Sequence, residues 1–370
     1  MKIGANHLTY CMNVHPARTM ADVLKNIDEL AAAVKAEVSP VEPFGLGIWL
    51  PVVAAKGFHE QFIAFADVLA DHDLYVFTIN GFPYNTFHGE TVKSAVYYPD
   101  WSEQERVDFT TDLIDVLSVL LPEGVVGSIS TVPVTYGKDL PDGAIDNLLK
   151  IAEIARETKL RTGKTIQIAL EPEPDCYLED TAETLAFFDK LRARDPNICD
   201  VIGMCFDTCH LALQGEDLFA SYQAVIDAGI PIPKVQVSAA LICDNTDGES
   251  ARSLLGPYDE QVYLHQTRVW SEPDVAVQRF PDLGPALVDN PRGEWRVHFH
   301  VPLHFEGDGA LRSTISLLHD DFIQAMLTHT PHIEIETYTF DVLPDSDAGI
   351  VDSIAAEFAY LQPRLSSATA

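Results

Sequence analysis

Eight short apolar segments recur along the chain, and each has the composition of a β-strand. They lie at residues 2–10, 44–50, 74–81, 126–134, 165–171, 201–207, 234–240 and 332–337. Several are apolar almost throughout, which is typical of strands that are buried on both faces of a parallel sheet. The pattern therefore predicts eight parallel strands.

Segments with helical periodicity separate these strands. Residues 19–35 repeat apolar side chains at three- and four-residue spacing, which gives a helix with one apolar face. Ser102 with Glu105, and Asp180 with Glu183, have the spacing of capping boxes at the starts of two further helices. Those two helices are predicted over 102–121 and 181–194, and others over 142–160, 216–228, 313–328 and 347–361.

Alternating strands and helices, without a Gly/Ser-rich linker, predict one (β/α)8 TIM barrel over residues 1–370. The alternative is an open, doubly wound sheet. It is weakened because the chain has no GxGxxG or GxxxxGK[ST] motif, and the GLG at 45–47 lacks a third glycine.

Two segments are longer than a minimal barrel requires. An aromatic loop at 82–101 follows the third strand, and an insertion at about 241–305 follows the seventh. The insertion ends in a strand-like run at 296–305. Long loops at the carboxyl ends of barrel strands usually line the active site, so we expect both segments near it.

Charge and hydropathy argue against several classes of function. The chain has 24 Lys and Arg against 56 Asp and Glu, a net charge of −32. This charge argues against a nucleic-acid partner and against an anionic membrane surface. We expect no signal peptide and no membrane insertion, and hence a cytoplasmic protein. The six cysteines form no CxxC pair and are expected to be buried thiols.

Polar side chains stand where the predicted strands end, which is where a barrel builds its active site. Glu171 closes the fifth strand and Glu336 the eighth. Asp207 closes the sixth, His210 follows three residues later, and Gln236 lies on the seventh. Each carboxylate alone is explained equally well by a salt bridge or a cap. Their convergence on one mouth favours function, because burying them unpaired costs several kcal/mol.

The stretch CFDTCH at 205–210 has three interpretations: a thiolate zinc knuckle, a carboxylate–imidazole pair or an ordinary strand end. Asp207 shares one strand face with Cys205, and His210 in the following loop can return to the same mouth. We predict Asp207 as a ligand, His210 as a nearby ligand or substrate-binding group, and Cys209 as packing. The knuckle is disfavoured because no second cysteine pair supplies the other ligands.

The order Glu171, Asp207-x-x-His210, a polar seventh-strand residue and Glu336 resembles the xylose isomerase-like superfamily, which includes sugar epimerases, hydroxypyruvate isomerase and endonuclease IV. The resemblance implies that Glu171, Asp207, Gln236 and Glu336 hold one divalent metal. Gln236 departs from the pattern, since members have a histidine at this position.

The run VHFHVPLHF at 297–305 offers a replacement for that histidine. By analogy with endonuclease IV, His300 is a predicted metal ligand, ahead of His298 and His304. The alternative is that these imidazoles hydrogen-bond to loop backbone.

The chain also resembles the EboE metabolite-traffic protein family, whose name implies movement of a metabolite but no defined reaction. The matching segments are HLTYCMNVHP (7–16), TINGFPYNTFHG (78–89), VKSAVYYPDW (92–101), ALEPEPDC (169–176), CFDTCH (205–210), VQVSAAL (235–241), YLHQ (263–266), VHFHVPLHF (297–305) and IEIETYTF (333–340).

An isomerase or epimerase is the first function that these resemblances imply. A divalent cation (Mn²⁺, Mg²⁺, Zn²⁺ or Co²⁺) would polarise a small polar metabolite and lower the cost of an enediolate. Glu171 and Glu336 would exchange the proton while His210 positions an oxygen. His7 and Asn80 are expected to contact the substrate.

Metabolite binding without chemistry is the second function. The barrel would hand its ligand to partner proteins of the same pathway, with the insertion as a docking surface. Glu173 is expected to be solvated in either case, because the preceding proline places it in a loop. A phosphodiesterase like endonuclease IV is disfavoured by the acidic charge and by the number of histidines that a trinuclear site needs.

Overall fold

The computed structural model describes residues 1–85, 88, 92–271, 277–305, 307, 309–340 and 349–368. The strands before the insertion are β1 (Lys2–Ile3), β2 (Asn6–Tyr10), β3 (Phe44–Trp49), β4 (Leu74–Asn80), β5 (Gly127–Thr131), β6 (Ile166–Leu170), β7 (Ile202–Asp207) and β8 (Lys234–Val237). The insertion adds β9 (Leu241–Asn245), β10 (Thr267–Trp270), β11 (Gln278–Phe280), β12 (Gly293–Val297) and β13 (Leu311–Ser313), and β14 (His332–Ile335) returns to the first sheet.

Eight parallel strands form the predicted barrel. Their sheet has the order β1-β2-β14-β8-β7-β6-β5-β4-β3. A parallel bridge between Cys11 and Gly47 brings β2 beside β3 and closes the barrel, which rules out the open sheet. The first predicted strand is interrupted at Gly4, whose φ of 60° turns the chain. Lys2 therefore folds back antiparallel onto His7.

The described helices cover the outside of the barrel, except those at 250–255 and 283–289, which belong to the insertion. They are α1 (Met20–Asn26), α2 (Ala32–Val38), α3 (Val52–Lys56), α4 (Phe58–Asp71), α5 (Gln104–Leu120), α6 (Ala144–Thr162), α7 (Thr181–Arg194), α8 (Thr208–Leu213), α9 (Leu218–Asp227), α10 (Ser250–Leu255), α11 (Leu283–Asp289), α12 (Asp320–His329) and α13 (Ile350–Ala368). None of the helices described is long and apolar enough to cross a membrane.

Several helix starts differ from the sequence predictions. The helix α4 was not predicted, although its apolar side chains follow helical spacing. The box of Ser102 with Glu105 is wrong, because the Ser102 hydroxyl donates to Asp100 Oδ1 and α5 begins two residues later. At α7 half of the predicted box forms: Asp180 accepts the backbone N–H of Glu183, but the Glu183 carboxylate accepts the N–H of Glu179 instead. Of the last predicted helix, positions 347 and 348 lie outside the described residues.

The insertion folds as a second, antiparallel sheet with the order β11-β10-β12-β9-β13. It extends to Ser313, beyond the predicted end. Strand β12 ends at Val297, so the predicted run at 296–305 is a strand only at its start. The segment that follows crosses the barrel mouth, where Val301 N–H donates to Ala239 O at 3.0 Å.

A buried ion network fastens this sheet to the barrel. Arg268 on β10 donates to Asp175 Oδ1 at 2.8 Å and to Glu179 Oε1 at 2.7 Å. Glu179 also pairs with Lys138 and Arg279. Burial alone would raise the pKa of Glu179, but the hydrogen bonds from Lys138 and Arg268 lower it to about 2. The network therefore joins the insertion to the loop after β6.

We expect Arg268→Ala to weaken the contact between the inserted sheet and the barrel and so to destabilise the protein. Removing one partner of a buried ion pair costs about 3–5 kcal/mol in the free energy of unfolding, which urea denaturation would measure. The control is Arg161→Ala, whose pair with Asp115 is exposed, with an expected loss below about 1 kcal/mol. Equal, small losses in both variants would contradict a stabilising role for the network.

Candidate functional site

Three carboxylates meet at the carboxyl ends of the barrel strands. Glu171 follows β6, Asp207 ends β7 and Glu336 follows β14. One oxygen from each lies within 4.8 Å of the other two, and the residues are at most 3% exposed. Because parallel strands end at one rim of a barrel, the strand ends alone bring these side chains together. We call them the carboxylate trio.

Each member of the trio has an oxygen without a hydrogen-bond partner among the described residues, namely Glu171 Oε2, Asp207 Oδ2 and Glu336 Oε2. The other oxygen of Asp207 accepts Ser238 Oγ–H at 2.7 Å. The other oxygen of Glu336 accepts amide N–H groups of Asn13 at 2.8 Å and Asn80 at 2.9 Å. Three neighbouring carboxylates, each with a buried oxygen that lacks a partner, fit a bound cation.

The electrostatics of the trio agree with this fit. Burial, followed by the charge of the neighbouring carboxylates, raises the pKa of Glu171 and of Glu336 well above the usual range. Burial opposes ionisation of Asp207 as well, but nearby His210 and His300 and the Ser238 hydroxyl lower its pKa. A cation between the three would relieve their repulsion.

Two histidines approach the trio with one ring nitrogen available. His210 Nδ1 lies 3.0 Å from Pro172 O, and His300 Nδ1 lies 2.8 Å from Glu336 O. A carbonyl oxygen only accepts, so in each neutral ring Nδ1 carries the proton and Nε2 keeps its lone pair. Ligand atoms of Asp207, His210 and His300 lie within 4.8 Å of one another. His304 is exposed and does not line the cavity described next.

A cavity of about 360 Å³ opens beside these groups. Its polar wall is formed by Asn13, Asn80, Glu171, Glu173, His210, His300 and Glu336, and its apolar wall includes Phe82, Val96 and Tyr338.

Most of the predicted site residues lie in or beside this cavity. Asn80 reaches it from the end of β4, with its amide bound to Glu336. Gln236 does not line it, because its Oε1 accepts the Cys205 thiol at 3.0 Å. His7 lies at the amino-terminal end of the barrel, in register with His332, the first residue of β14. This position corrects the predicted substrate contact of His7.

Glu173 and Asn13 also belong to the cavity wall, although neither is among the predicted site residues. Glu173 was expected to be solvated, but it is 6% exposed and accepts the Tyr97 hydroxyl at 2.6 Å. Tyr97 comes from the aromatic loop, so no local pattern reveals this burial. Asn13 stands just past the end of the first strand, a position that could have indicated the same rim.

The cysteines are free thiols, as predicted, and all but Cys199 are buried. Cys209 donates to Phe299 O at 3.4 Å. No disulfide therefore restrains the site.

Comparisons with known proteins agree with the architecture. A family model described as the xylose isomerase-like TIM barrel matches residues 30–253, more than half of the chain. A protein of that description from Mycobacterium smegmatis, in complex with magnesium, has a TM-score of 0.56 at 13% identity over 100% of both chains.

Two other solved structures have a similar fold. The IOLI protein with a bound zinc atom has a TM-score of 0.52 at 10% identity, covering 98% of each chain. A D-allulose 3-epimerase from Methylomonas sp. has a TM-score of 0.52 at 13% identity, covering 97% of this chain and 98% of its own. At these identities the likeness shows the fold alone. No curated protein matches the sequence.

A buried carboxyl on α13, that of Glu357, holds two segments that adjoin the site. Glu357 Oε1 accepts the Thr337 hydroxyl at 2.6 Å and the Leu303 N–H at 3.1 Å. Thr337 adjoins the trio, and Leu303 belongs to the segment that crosses the mouth. Burial raises the pKa of Glu357 to about 8, although both hydrogen bonds oppose the shift.

This carboxyl makes stability depend on pH. Between its ordinary pKa of 4.5 and about 8, the native state binds a proton that the unfolded chain has lost. The free energy of unfolding therefore falls as pH rises through this window, by up to about 1.4 kcal/mol per pH unit. Glu357→Gln keeps an acceptor oxygen and should show a shallower decline in urea unfolding. Parallel pH profiles for the two proteins would contradict the assignment.

Proposed function

The chain belongs to the xylose isomerase-like TIM barrel family, and on this premise we propose that it is a divalent-metal-dependent isomerase or epimerase of a small polar metabolite. The observation that carries the proposal is the carboxylate trio, in which one oxygen from each residue lies within 4.8 Å of the other two and each residue has a buried oxygen without a hydrogen-bond partner. The family includes isomerases and epimerases, but a fold does not fix the reaction, and the residues of the site decide it.

The donor set determines which ion would bind. Carboxylate oxygens suit Mg²⁺ or Mn²⁺, and an added imidazole admits Zn²⁺ or Co²⁺. His300 lies within reach of Asp207 and is the proposed nitrogen ligand, since Gln236 is engaged with Cys205. Two similar barrels that hold magnesium or zinc support a divalent cation as the bound group.

A bound divalent cation would polarise the carbonyl of a hydroxy-carbonyl substrate and lower the cost of forming the enediolate. Glu171 and Glu336 come from β6 and β14, which β7 and β8 separate in the sheet. They therefore approach a substrate from two sides. One carboxylate takes a proton from carbon and the other returns it. Asn13 and Asn80 hold Glu336 Oε1, and His210 Nε2 accepts a substrate hydroxyl.

Binding without chemistry is the second candidate, and Gln236 favours it. The family pattern has a histidine at this strand position, whereas here the glutamine carbonyl bonds to Cys205. Together with the resemblance to the EboE metabolite-traffic family, this supports a remodelled barrel that passes its ligand to partner proteins of the same pathway. A ligand that co-purifies unchanged, with no turnover, would favour this candidate over the isomerase.

Metal content is the first test of the proposed site. Protein purified without chelator and loaded with Mn²⁺ should hold one equivalent at the carboxylate trio, measured by mass spectrometry. Glu336→Gln removes a charged ligand and should lower Mn²⁺ affinity at least about tenfold, whereas Glu357→Gln removes a buried carboxyl outside the trio and should retain the ion. No Mn²⁺ in the wild type would overturn the metal-dependent proposal.

Proton exchange tests the chemistry itself. In D₂O, the isomerase should place solvent deuterium on the carbon beside the carbonyl in one member of a panel of ketoses and hydroxy-carbonyl compounds, as detected by NMR. Glu171→Gln should slow this exchange about 10²–10⁴-fold, the usual contribution of general acid–base catalysis. Tight binding of a panel member without exchange in the wild type would leave metabolite binding as the function.

A further inference from the structure

Two buried imidazoles face each other beside the carboxylate trio. His298 and His300 are two residues apart on the extended segment after β12, so their rings lie on the same side of the chain. Their Nε2 atoms are 3.2 Å apart, and the residues are 2% and 1% exposed. The protonation of this pair decides what can lie between the rings.

The tautomer of His300 is set by a backbone carbonyl. His300 Nδ1 lies 2.8 Å from Glu336 O, which can only accept a hydrogen bond. Nδ1 therefore carries the ring proton, and Nε2 presents a lone pair to His298.

The tautomer of His298 is set through a glutamine. Gln266 Nε2 lies 3.2 Å from Pro174 O and 2.9 Å from Tyr97 Oη. Since Pro174 O only accepts, the amide nitrogen must point toward it, and Gln266 Oε1 must face His298 Nδ1 at 2.6 Å. An amide oxygen also only accepts, so His298 Nδ1 donates and its Nε2 presents a second lone pair.

Two lone pairs at 3.2 Å repel each other unless a positive species lies between them. The spacing suits a metal ion, because two nitrogens at about 2.05 Å from a tetrahedral zinc are about 3.3 Å apart. Ring N–H groups held by carbonyl oxygens are also the usual support of metal-binding histidines.

A thiol lies close to this histidine pair. Cys209 Sγ is within 4.8 Å of ligand nitrogens of His298 and His300, and all three residues are buried. We propose that Cys209, His298 and His300 form a second metal site, separate from the carboxylate trio, for a soft divalent ion of the Zn²⁺ type. The thiol proton is released to solvent when the ion binds.

His300 lies within reach of both proposed metal sites. Its single available lone pair serves one ion at a time, so an ion held by Cys209 and His298 takes it. The carboxylate trio then holds its own, harder ion with oxygen ligands. The second site rests on the histidine geometry and not on the proposed reaction, and either can fail alone.

Cobalt reports directly on a thiolate ligand. Chelator-stripped protein, first saturated with Mn²⁺, is titrated with Co²⁺ while the near-ultraviolet thiolate-to-cobalt absorption is recorded. We expect one equivalent of Co²⁺ to produce this absorption, and Cys209→Ala to abolish it without loss of Mn²⁺. Gln266→Leu removes the oxygen that orients His298 and should weaken Co²⁺ binding about 10–100-fold.

Two control variants distinguish loss of the metal site from general destabilisation of the protein. Cys243→Ala removes another buried thiol, and His304→Ala removes an exposed histidine of the same segment. Both variants should retain the absorption. If Cys209→Ala does not fold, the presence or absence of the cobalt absorption in the wild type decides the outcome.

Absence of the absorption in the wild type at saturating Co²⁺, or its survival in folded Cys209→Ala, would overturn the second site. A single imidazolium shared by His298 and His300 in the presence of Zn²⁺, seen by ¹⁵N NMR, would overturn it as well. Loss of Mn²⁺ binding with the cobalt absorption intact would instead count against the proposed isomerase.

Discussion

Three carboxylates buried at one barrel mouth can all be ionised only with a positive charge between them, and the local structure fits this constraint. Asn13 and Asn80 donate to one oxygen of Glu336, Ser238 donates to one oxygen of Asp207, and each member of the trio keeps one unpartnered oxygen. The buried cation of the barrel interior, Lys234, forms its ion pair with Glu334 at 2.5 Å. A Cβ at Gly47 would collide with that Glu334 carboxylate.

The insertion converts an open barrel mouth into a shielded cavity. Arg268 fastens the inserted sheet to the loop after β6, and Glu357 holds the crossing segment beside Thr337. The segment that crosses the barrel mouth also carries the imidazole groups of His298 and His300. The barrel supplies the carboxylates and His210, and the insertion supplies His298, His300 and the low-dielectric surroundings in which charges act strongly.

Features determined by local pattern were predicted from the sequence. The eight strands follow from apolar runs, and Glu171, Asp207 and Glu336 follow from their position at strand ends. Features that depend on distant contacts were not predicted. Glu173 is buried by Tyr97, 76 positions away in sequence.

The position of His7 shows a second limit of sequence patterns. A run of strand residues does not show where hydrogen-bonded pairing begins. Pairing of the first barrel strand starts beside His7, in register with the start of β14. The predicted strand does form, but His7 lies at the amino-terminal end of the barrel and the site lies at the carboxyl-terminal end.

Anomalous diffraction from a crystal soaked in Mn²⁺ would test the central claim most directly. The account predicts a strong manganese peak between the carboxylate oxygens of Glu171, Asp207 and Glu336, at about 2.0–2.3 Å from each. A fully soaked crystal with no peak there, and with ordered water or a protein cation between the three carboxylates, would contradict it.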